Sequence, residues 1–236
     1  PIGYYIDNVP FAVPNFPLAP PLRFVDIDRV EVLRGPQGTL YGQGSAGGTI
    51  IYHTRAPSLT DIEARGEASI GKTADASGPN YGVAGAVSVP LVQDKLAIRI
   101  SGGYDKQAGY IDVYSATPST GPLLQKDAND ITNKDIRAVL LWKPTDTLTA
   151  RLQAAHWEPG QNFTQSINSL EPPQQWFSGS TRGYERGNFD LYSLSLEYDS
   201  DAVAVSSSTS YLDAKFGYLT GQTFGPLGTG SLINDY

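Results

Sequence analysis

The chain contains no cysteine and no methionine, and only 17% of its 236 residues are charged. Without cysteine there is no disulfide framework and no thiolate-based metal or redox centre. A complete translation product begins with methionine. This sequence opens directly in a strand pattern with no signal peptide, so a fragment is expected. No run of about 18 apolar residues occurs, which excludes a transmembrane helix. It does not exclude a membrane, because strands of an outer-membrane barrel alternate apolar and polar residues and leave the mean hydropathy near that of a soluble protein. The net charge of −7 argues against nucleic acid as a partner and against electrostatic attraction to anionic lipid.

Glycine (25), proline (17) and tyrosine (14) are plentiful. From residue 60 onward they punctuate segments of period two. Ile62, Ala64, Gly66, Ala68 and Ile70 alternate with Glu63, Arg65, Glu67 and Ser69, which gives a strand meeting two different solvents. Tyr81, Val83, Gly85, Val87, Val89 and Leu91 form the next apolar row, and Leu96, Ile98, Ile100, Gly102 and Tyr104 the third, opposite Arg99 and Ser101. The rhythm continues through Ile136–Trp142, Leu148–Ala154 with Arg151 and Gln153 on the other side, Tyr192–Tyr198 and Val203–Tyr211. Each segment is about 10 residues, the length that spans a bilayer when a strand is tilted. About seven antiparallel strands are expected.

The connections differ in length. Those near 92–94, 144–147 and 199–201 are short, whereas those near 107–133 and 159–188 are long and rich in Gly, Pro, Ser, Asn and aromatics. Outer-membrane barrels have short periplasmic turns and long extracellular loops. Tyr104, Tyr110, Trp142, Trp157, Tyr198 and Tyr211 fall near strand ends, where amphipathic rings suit the headgroup layer.

Residues 25–57, VDIDRVEVLRGPQGTLYGQGSAGGTIIYHTRAP, stand apart. A strand of β-branched residues stops at Gly35-Pro36, a bend follows with Gly42, Gly44, Gly47 and Gly48, and Thr49-Ile50-Ile51-Tyr52 reads as a second strand. The segment IDRVEVLRGPQGTLYGQGSAGGTI resembles the last part of the plug domain of TonB-dependent outer-membrane receptors, and Ile6-Asp7-Asn8-Val9-Pro10 is similar to the strand that precedes it there. Ile51-Tyr52-His53-Thr54 and Asn8 depart from the usual pattern. The resemblance implies a mainly β fold: residues 1–57 as the C-terminal part of a plug domain (a small mixed sheet), and residues 58–236 as the N-terminal part of a transmembrane β-barrel. Barrels that hold a plug have about 22 strands, so the remaining strands are expected beyond Tyr236.

The resemblance further implies a Gram-negative outer membrane, contact with its lipid, and import of a scarce ligand with energy from TonB, recruited through an N-terminal box absent here. A ferric siderophore or other iron complex is the leading ligand; glycan and cobalamin uptake belong to the same family. The segment Phe11–Arg23 is then an apex facing the extracellular pocket, with Phe11, Asn15 and Phe16 as ligand-reading candidates. Trp176, Arg182, Tyr184 and Arg186 in the long 159–188 linker are candidates to stack on or pair with a ligand. Arg34, Gly35, Pro36, Gly47 and Gly48 are expected to be structural, with Arg34 pairing barrel carboxylates on strands outside this chain.

Signatures of catalysis are weak, and no enzyme is expected. Residues 42–47 match G-x-G-x-x-G, but a dinucleotide site needs a helix to follow and here a β-branched strand does. His53 and His156 are isolated, no G-x-S-x-G elbow occurs, and Asp127, Asn129 and Asp130 read as a solvated acidic loop rather than a Ca²⁺ site. No cofactor is expected. A passive porin-like barrel shares the strands but has no use for the plug segment, and a secreted β-sandwich shares the turn-rich linkers.

Overall fold

A computed structural model describes residues 2–12, 19–20, 22–41, 44–115, 121–162, 176–178, 184–224 and 228–235. In chain order the strands are β1 (Ile2–Ile6), β2 (Val9–Pro10), β3 (Ile27–Arg34), β4 (Gly48–Thr54), β5 (Glu63–Gly71), β6 (Asn80–Val92), β7 (Leu96–Gln107), β8 (Asp112–Tyr114), β9 (Leu123–Gln125), β10 (Ile131–Trp142), β11 (Leu148–Asn162), β12 (Trp176–Ser178), β13 (Tyr184–Asp199), β14 (Ala204–Phe224) and β15 (Gly228–Asp235). A 3₁₀ turn at Phe24–Asp26 precedes β3, and the single helical turn α1 (Gly38–Tyr41) precedes β4.

The first four strands form a mixed sheet of order β2-β1-β4-β3 in which β1 and β4 run parallel and the other pairs antiparallel. Asp7 turns the β1–β2 hairpin at φ 53°, a left-handed conformation that Asp tolerates and most side chains do not. Gly48 opens β4 at φ 145°, and a Cβ there would stand 2.7 Å from the Leu33 carbonyl oxygen, so no other residue fits.

Eight strands, β5 to β7, β10, β11 and β13 to β15, form one antiparallel sheet in which neighbours in space follow chain order. This adds β15 to the seven strands that alternation suggests. Its glycine-rich sequence carries no apolar row that would mark a strand. Beyond the long-connection end, β12, β8 and β9 form a small three-stranded sheet of three-residue strands, too short to leave a periodic signature.

The two faces of the eight-stranded wall differ as the alternation requires. Tyr81, Val83, Val87, Leu91, Ile100, Ile136, Trp142, Leu152, Tyr192, Leu194, Leu196, Tyr198, Val205 and Tyr211 are exposed on one face, while Ser88, Arg99, Ser101, Arg137, Gln153 and Ser193 are buried on the other, under the four-stranded sheet. The outer face also has an upper limit that the strand register makes explicit. Ala138, Ala154, Tyr192 and Tyr211 stand side by side; the next row is Ile136, His156, Asp190 and Asp213; beyond it Lys134 faces Glu158 and Asn188 faces Lys215. Apolar therefore gives way to charged or titratable at one level on β11, β13 and β14 and one row later on β10, as at the edge of a hydrocarbon slab. Within the slab, Leu194→Arg is expected to cost ~2–4 kcal/mol of barrel stability, and Asn188→Arg, above it, almost nothing. Urea titration of the full-length protein in bilayers checks both.

Trp142 and Tyr198, exposed near the short-turn end, and Tyr211, near the other, suit interfacial belts. Trp157 does not. It is 3% exposed and points inward, because it occupies the inner-facing parity of β11 shared with Gln153 and Ala155. Tyr110 lies past the end of β7, packed against Ile111, Val113 and Ala128.

Candidate functional site

The four-stranded sheet meets the wall through one apolar cluster and one network of charges. Ile6, Val9 and Phe11 pack against Ala155, Trp157, Phe189, Leu191 and Phe216. The Phe11 ring meets Trp157 edge-on at 6.4 Å and Phe189 at 5.7 Å. Phe11 is thus turned toward the wall, 3% exposed, in a packing position.

The charged network centres on Asp26, at the end of the 3₁₀ turn. Its carboxylate accepts from Arg99 Nε at 2.7 Å, Ser101 Oγ at 2.6 Å, Arg137 Nε at 3.0 Å and, closer still, Arg137 Nη2. The guanidiniums come from β7 and β10, where Arg137 stands opposite Ser101 and diagonal to Arg99 on the inner-facing side of one strand pair. Arg137 Nη1 also donates to Thr54 Oγ1 at 2.6 Å. Thr54, the last residue of β4, binds Asp7 through its N–H and its hydroxyl, both at 2.8 Å. Arg151 of β11 donates to Asp7 at 3.0 Å and to Thr54 Oγ1 at 2.7 Å.

Burial pushes the Asp26 carboxyl up, but Arg137, with the hydrogen bonds from Ser101, Arg137 and Arg99, outweighs it and holds the group below the usual carboxylate range. A depressed acid contributes stability that is present above the ordinary value of ~3.9 and lost as pH falls through the lower folded value. Docking of the small sheet is therefore expected to show no Asp26-linked change between pH 5 and pH 8, with weakening below about pH 4. Trp157 fluorescence against pH, compared with Asp26→Asn, tests this: the variant lacks the Asp26-linked acid transition.

The other residues singled out in the sequence are placed as follows. Arg34 is at the exposed end of β3, and among the described residues it makes no ion pair. Gly35 takes φ 82° after it, Pro36 is exposed beyond that, and Gly47 is exposed just before β4. Tyr184 and Arg186 lie at the start of β13, with the guanidinium 5.9 Å from the ring centre. Arg186 donates to Asn162 Oδ1 and to the Gln161 carbonyl oxygen, beside an open cavity of about 770 Å³ that Lys134, Glu158 and Lys215 also line. These two residues share the outward parity of Asn188 and Asp190, above the apolar slab, rather than facing the buried side. Trp176 lies in β12, paired with Asp112, and its side chain lies outside the described residues, as do Asn15, Phe16 and Arg182.

Sequence reasoning missed the residues that join the two sheets: Asp7, Asp26, Thr54, Arg99, Arg137 and Arg151. The sequence held only part of the signal: three arginines sit opposite the apolar rows on successive strands, and once a plug covers that side they need buried counter-charges.

Two outward-facing rows from Arg186, His156 Nδ1 is 2.7 Å from Asp190 and Nε2 is 3.3 Å from Glu158. Among the described residues no cluster of three His, Cys, Asp or Glu is arranged to hold a metal ion. The G-x-G-x-x-G match leads into β4 and not into a helix.

Comparison with known proteins agrees with this geometry. The family model of the TonB-dependent receptor plug domain matches residues 1–49. The chain is 31% identical over 140 residues to the probable TonB-dependent siderophore receptor PirA of Acinetobacter baumannii, covering 58% of this chain and 18% of that protein. It is 29% identical over 184 residues to the ferrienterobactin receptor of Escherichia coli K12, covering 70% and 23%. Among solved structures, that of PirA from A. baumannii aligns with 100% of this chain and 35% of its own at a TM-score of 0.70 and 19% identity. The ferripyoverdine receptor of Pseudomonas aeruginosa aligns with 99% and 31% at 0.73 and 15%. The chain thus spans about a fifth of the length of the curated relatives. With a plug segment seated by buried charges on the polar face of an antiparallel wall whose other face is apolar, the chain carries the plug-domain match of TonB-dependent receptors over residues 1–49 and shares the plug-and-wall fold of the solved siderophore receptors.

Proposed function

We propose that the protein is an outer-membrane active transporter that imports a ferric siderophore with energy supplied through TonB. Residues 1–57 are read as the C-terminal part of its plug and residues 58–236 as the first part of its barrel. The observation that carries this reading is the seating of the small sheet: its acids Asp7 and Asp26 engage three arginines that point inward from the wall. A passive pore has no use for such an obstruction. Among the described residues β5 and β15 pair on one side only. Unpaired backbone in hydrocarbon costs several kcal/mol per group, so the wall needs further strands to close.

In this reading the protein performs no bond chemistry. The barrel supplies a lumen, the plug blocks it, and a ligand that binds one plug state better than another shifts the plug between them. Iron complexes are favoured over glycans and cobalamin because the relatives that match include a probable siderophore receptor and a ferrienterobactin receptor. Deleting the full-length gene and growing the strain under iron limitation on a panel of ferric siderophores is the test. Loss of growth on at least one siderophore, restored by the gene, is expected. Unchanged growth on all of them, with a defect on a glycan or cobalamin, overturns the choice of ligand.

A further inference from the structure

Tyr184 and Arg186 face away from the plug, so what they bind is not a ligand passing through the lumen. The row through Arg186 runs Thr132, Gly160, Arg186 and Gly217 across four adjacent strands. Two glycines flank the arginine, and the outer face sinks there into the open cavity of about 770 Å³. A Cβ at Gly160 would stand 3.3 Å from Arg186 Nη1, so the missing side chain makes room for the guanidinium. Nη1 donates to the carbonyl oxygens of Gln161 at 3.0 Å and Glu185 at 3.1 Å, Nη2 donates to Asn162 Oδ1, and the Tyr184 ring lies 5.9 Å away. Among the described residues these contacts use both Nη1 protons and one on Nη2. They leave the Nε–H and the second Nη2–H, the edge of a guanidinium that grips a phosphate through two parallel bonds.

The charge of the cavity fits the same guest. Arg186, Lys134 and Lys215 line it against one acid, Glu158. Lys134 reaches Glu158 at 3.1 Å and Lys215 reaches Asp213 at 3.1 Å, but both lysines are exposed. Surface pairs of this kind are weak, and each ammonium has three donors to share. Height decides what is within reach. Lys134 and Lys215 stand one outward row above His156, Asp190 and Asp213, which is ~7 Å along the strands and ~5 Å in height at a tilt of ~45°. The polar layer over a hydrocarbon core is ~5–8 Å thick. The lysines therefore stand at headgroup depth with Arg186 at its outer rim, while Tyr192, Tyr211 and Leu194 lie below on the apolar face.

We propose that this cavity binds a phosphorylated glycolipid of the outer leaflet, with phosphate on Arg186, Lys134 and Lys215, sugar hydroxyls against Asn162 and Asn188, and acyl chains along Tyr192 and Tyr211. A bare phosphate would leave most of the space unfilled, since cavities of ~300–1,000 Å³ hold whole small-molecule ligands. The two amide side chains that line it supply donors and acceptors for hydroxyl groups. The inference rests on the wall crossing the membrane with its long connections outside, and it is independent of what the protein imports.

The test uses the full-length receptor, stripped of lipid in a nonionic detergent and titrated with an acylated diglucosamine bisphosphate, with the lipid adduct followed by native mass spectrometry. Arg186→Ala is expected to weaken binding by about tenfold, the loss of a charge-assisted contact. Glu158→Gln, which removes the one acid of the lining, is expected to tighten it by about two- to threefold. Opposite directions at two exposed positions separate the effect from misfolding, because a misfolded variant does not bind more tightly. The same glycolipid without phosphates is expected to bind weakly, and equally to parent and Arg186→Ala. Equal affinity of parent and Arg186→Ala for the phosphorylated form, or equal binding of the phosphate-free form, overturns the proposal. Phosphatidylglycerol binding as tightly as the glycolipid overturns it too, since the cavity would then read negative charge and no sugar.

Discussion

Asp26→Ala is expected to weaken plug docking by about 3–5 kcal/mol, the cost of leaving buried charges without their partner. The reason lies in the count of groups that depend on one carboxylate. Arg99 and Arg137 both turn to Asp26, and the alternative acid near Arg99, Glu63, is 3.7 Å away on the open edge strand β5. Two Nη groups of Arg99 are already buried without a hydrogen-bond partner, so little remains to absorb the loss. Native-state hydrogen exchange of the β1 and β4 amides in the full-length receptor reads the effect directly, because exchange there reports undocking of the small sheet. The triple replacement Asp26→Leu, Arg99→Met and Arg137→Met is expected to recover most of it, since an apolar trio of similar volume carries no desolvation penalty. If the single variant exchanges as slowly as the parent, the network is ornamental.

Trp157→Ala is the second large effect, expected at about 3–5 kcal/mol for removing a buried aromatic side chain. Trp157 sits between Phe11 of the plug and the inner face of β11, beside Phe189 and Leu191 of β13. Its loss opens a cavity in the apolar half of the plug–wall contact while leaving the charges in place. Hydrogen exchange is again the readout, with protection lost at the β1–β2 hairpin before the Asp26 end. Phe11→Ala is expected to act in the same direction, because its ring is the other half of that contact. A Phe11 variant that leaves docking intact but abolishes siderophore binding would instead give it the ligand-reading role.

Much of the fold was legible because strand parity is a strict code. Ile98 and Ile100 had to face one medium and Arg99 and Ser101 the other, and the structure places them so. The plug segment was legible by its motif, and the connections by their lengths. What parity cannot say is which side of a polar row is filled. Arg99 and Arg151 read equally well as residues facing water or facing a plug, and only the contacts with Asp26 and Asp7 distinguish the two.

Trp157 escaped for a related reason. Near a strand end, an aromatic residue suggests the headgroup layer, and parity alone assigns it to the interior. The three-residue strands β8, β9 and β12 are held by backbone pairing within long connections, where no hydrophobic period exists to read. β15 is another backbone-defined element, paired residue by residue with β14 from Gly217↔Asp235 to Phe224↔Gly228.

One wall separates lipid from a seated plug, and β13 records it residue by residue. A spin-label scan from Phe189 to Tyr198 in the full-length receptor, reconstituted in bilayers, measures collision with oxygen, which concentrates in lipid, against a water-soluble nickel complex. The account predicts a period of two: Tyr192, Leu194, Leu196 and Tyr198 reached by oxygen, with Phe189, Leu191 and Ser193 shielded from both reagents. A period near 3.6, or access of the nickel complex to both faces alike, contradicts it.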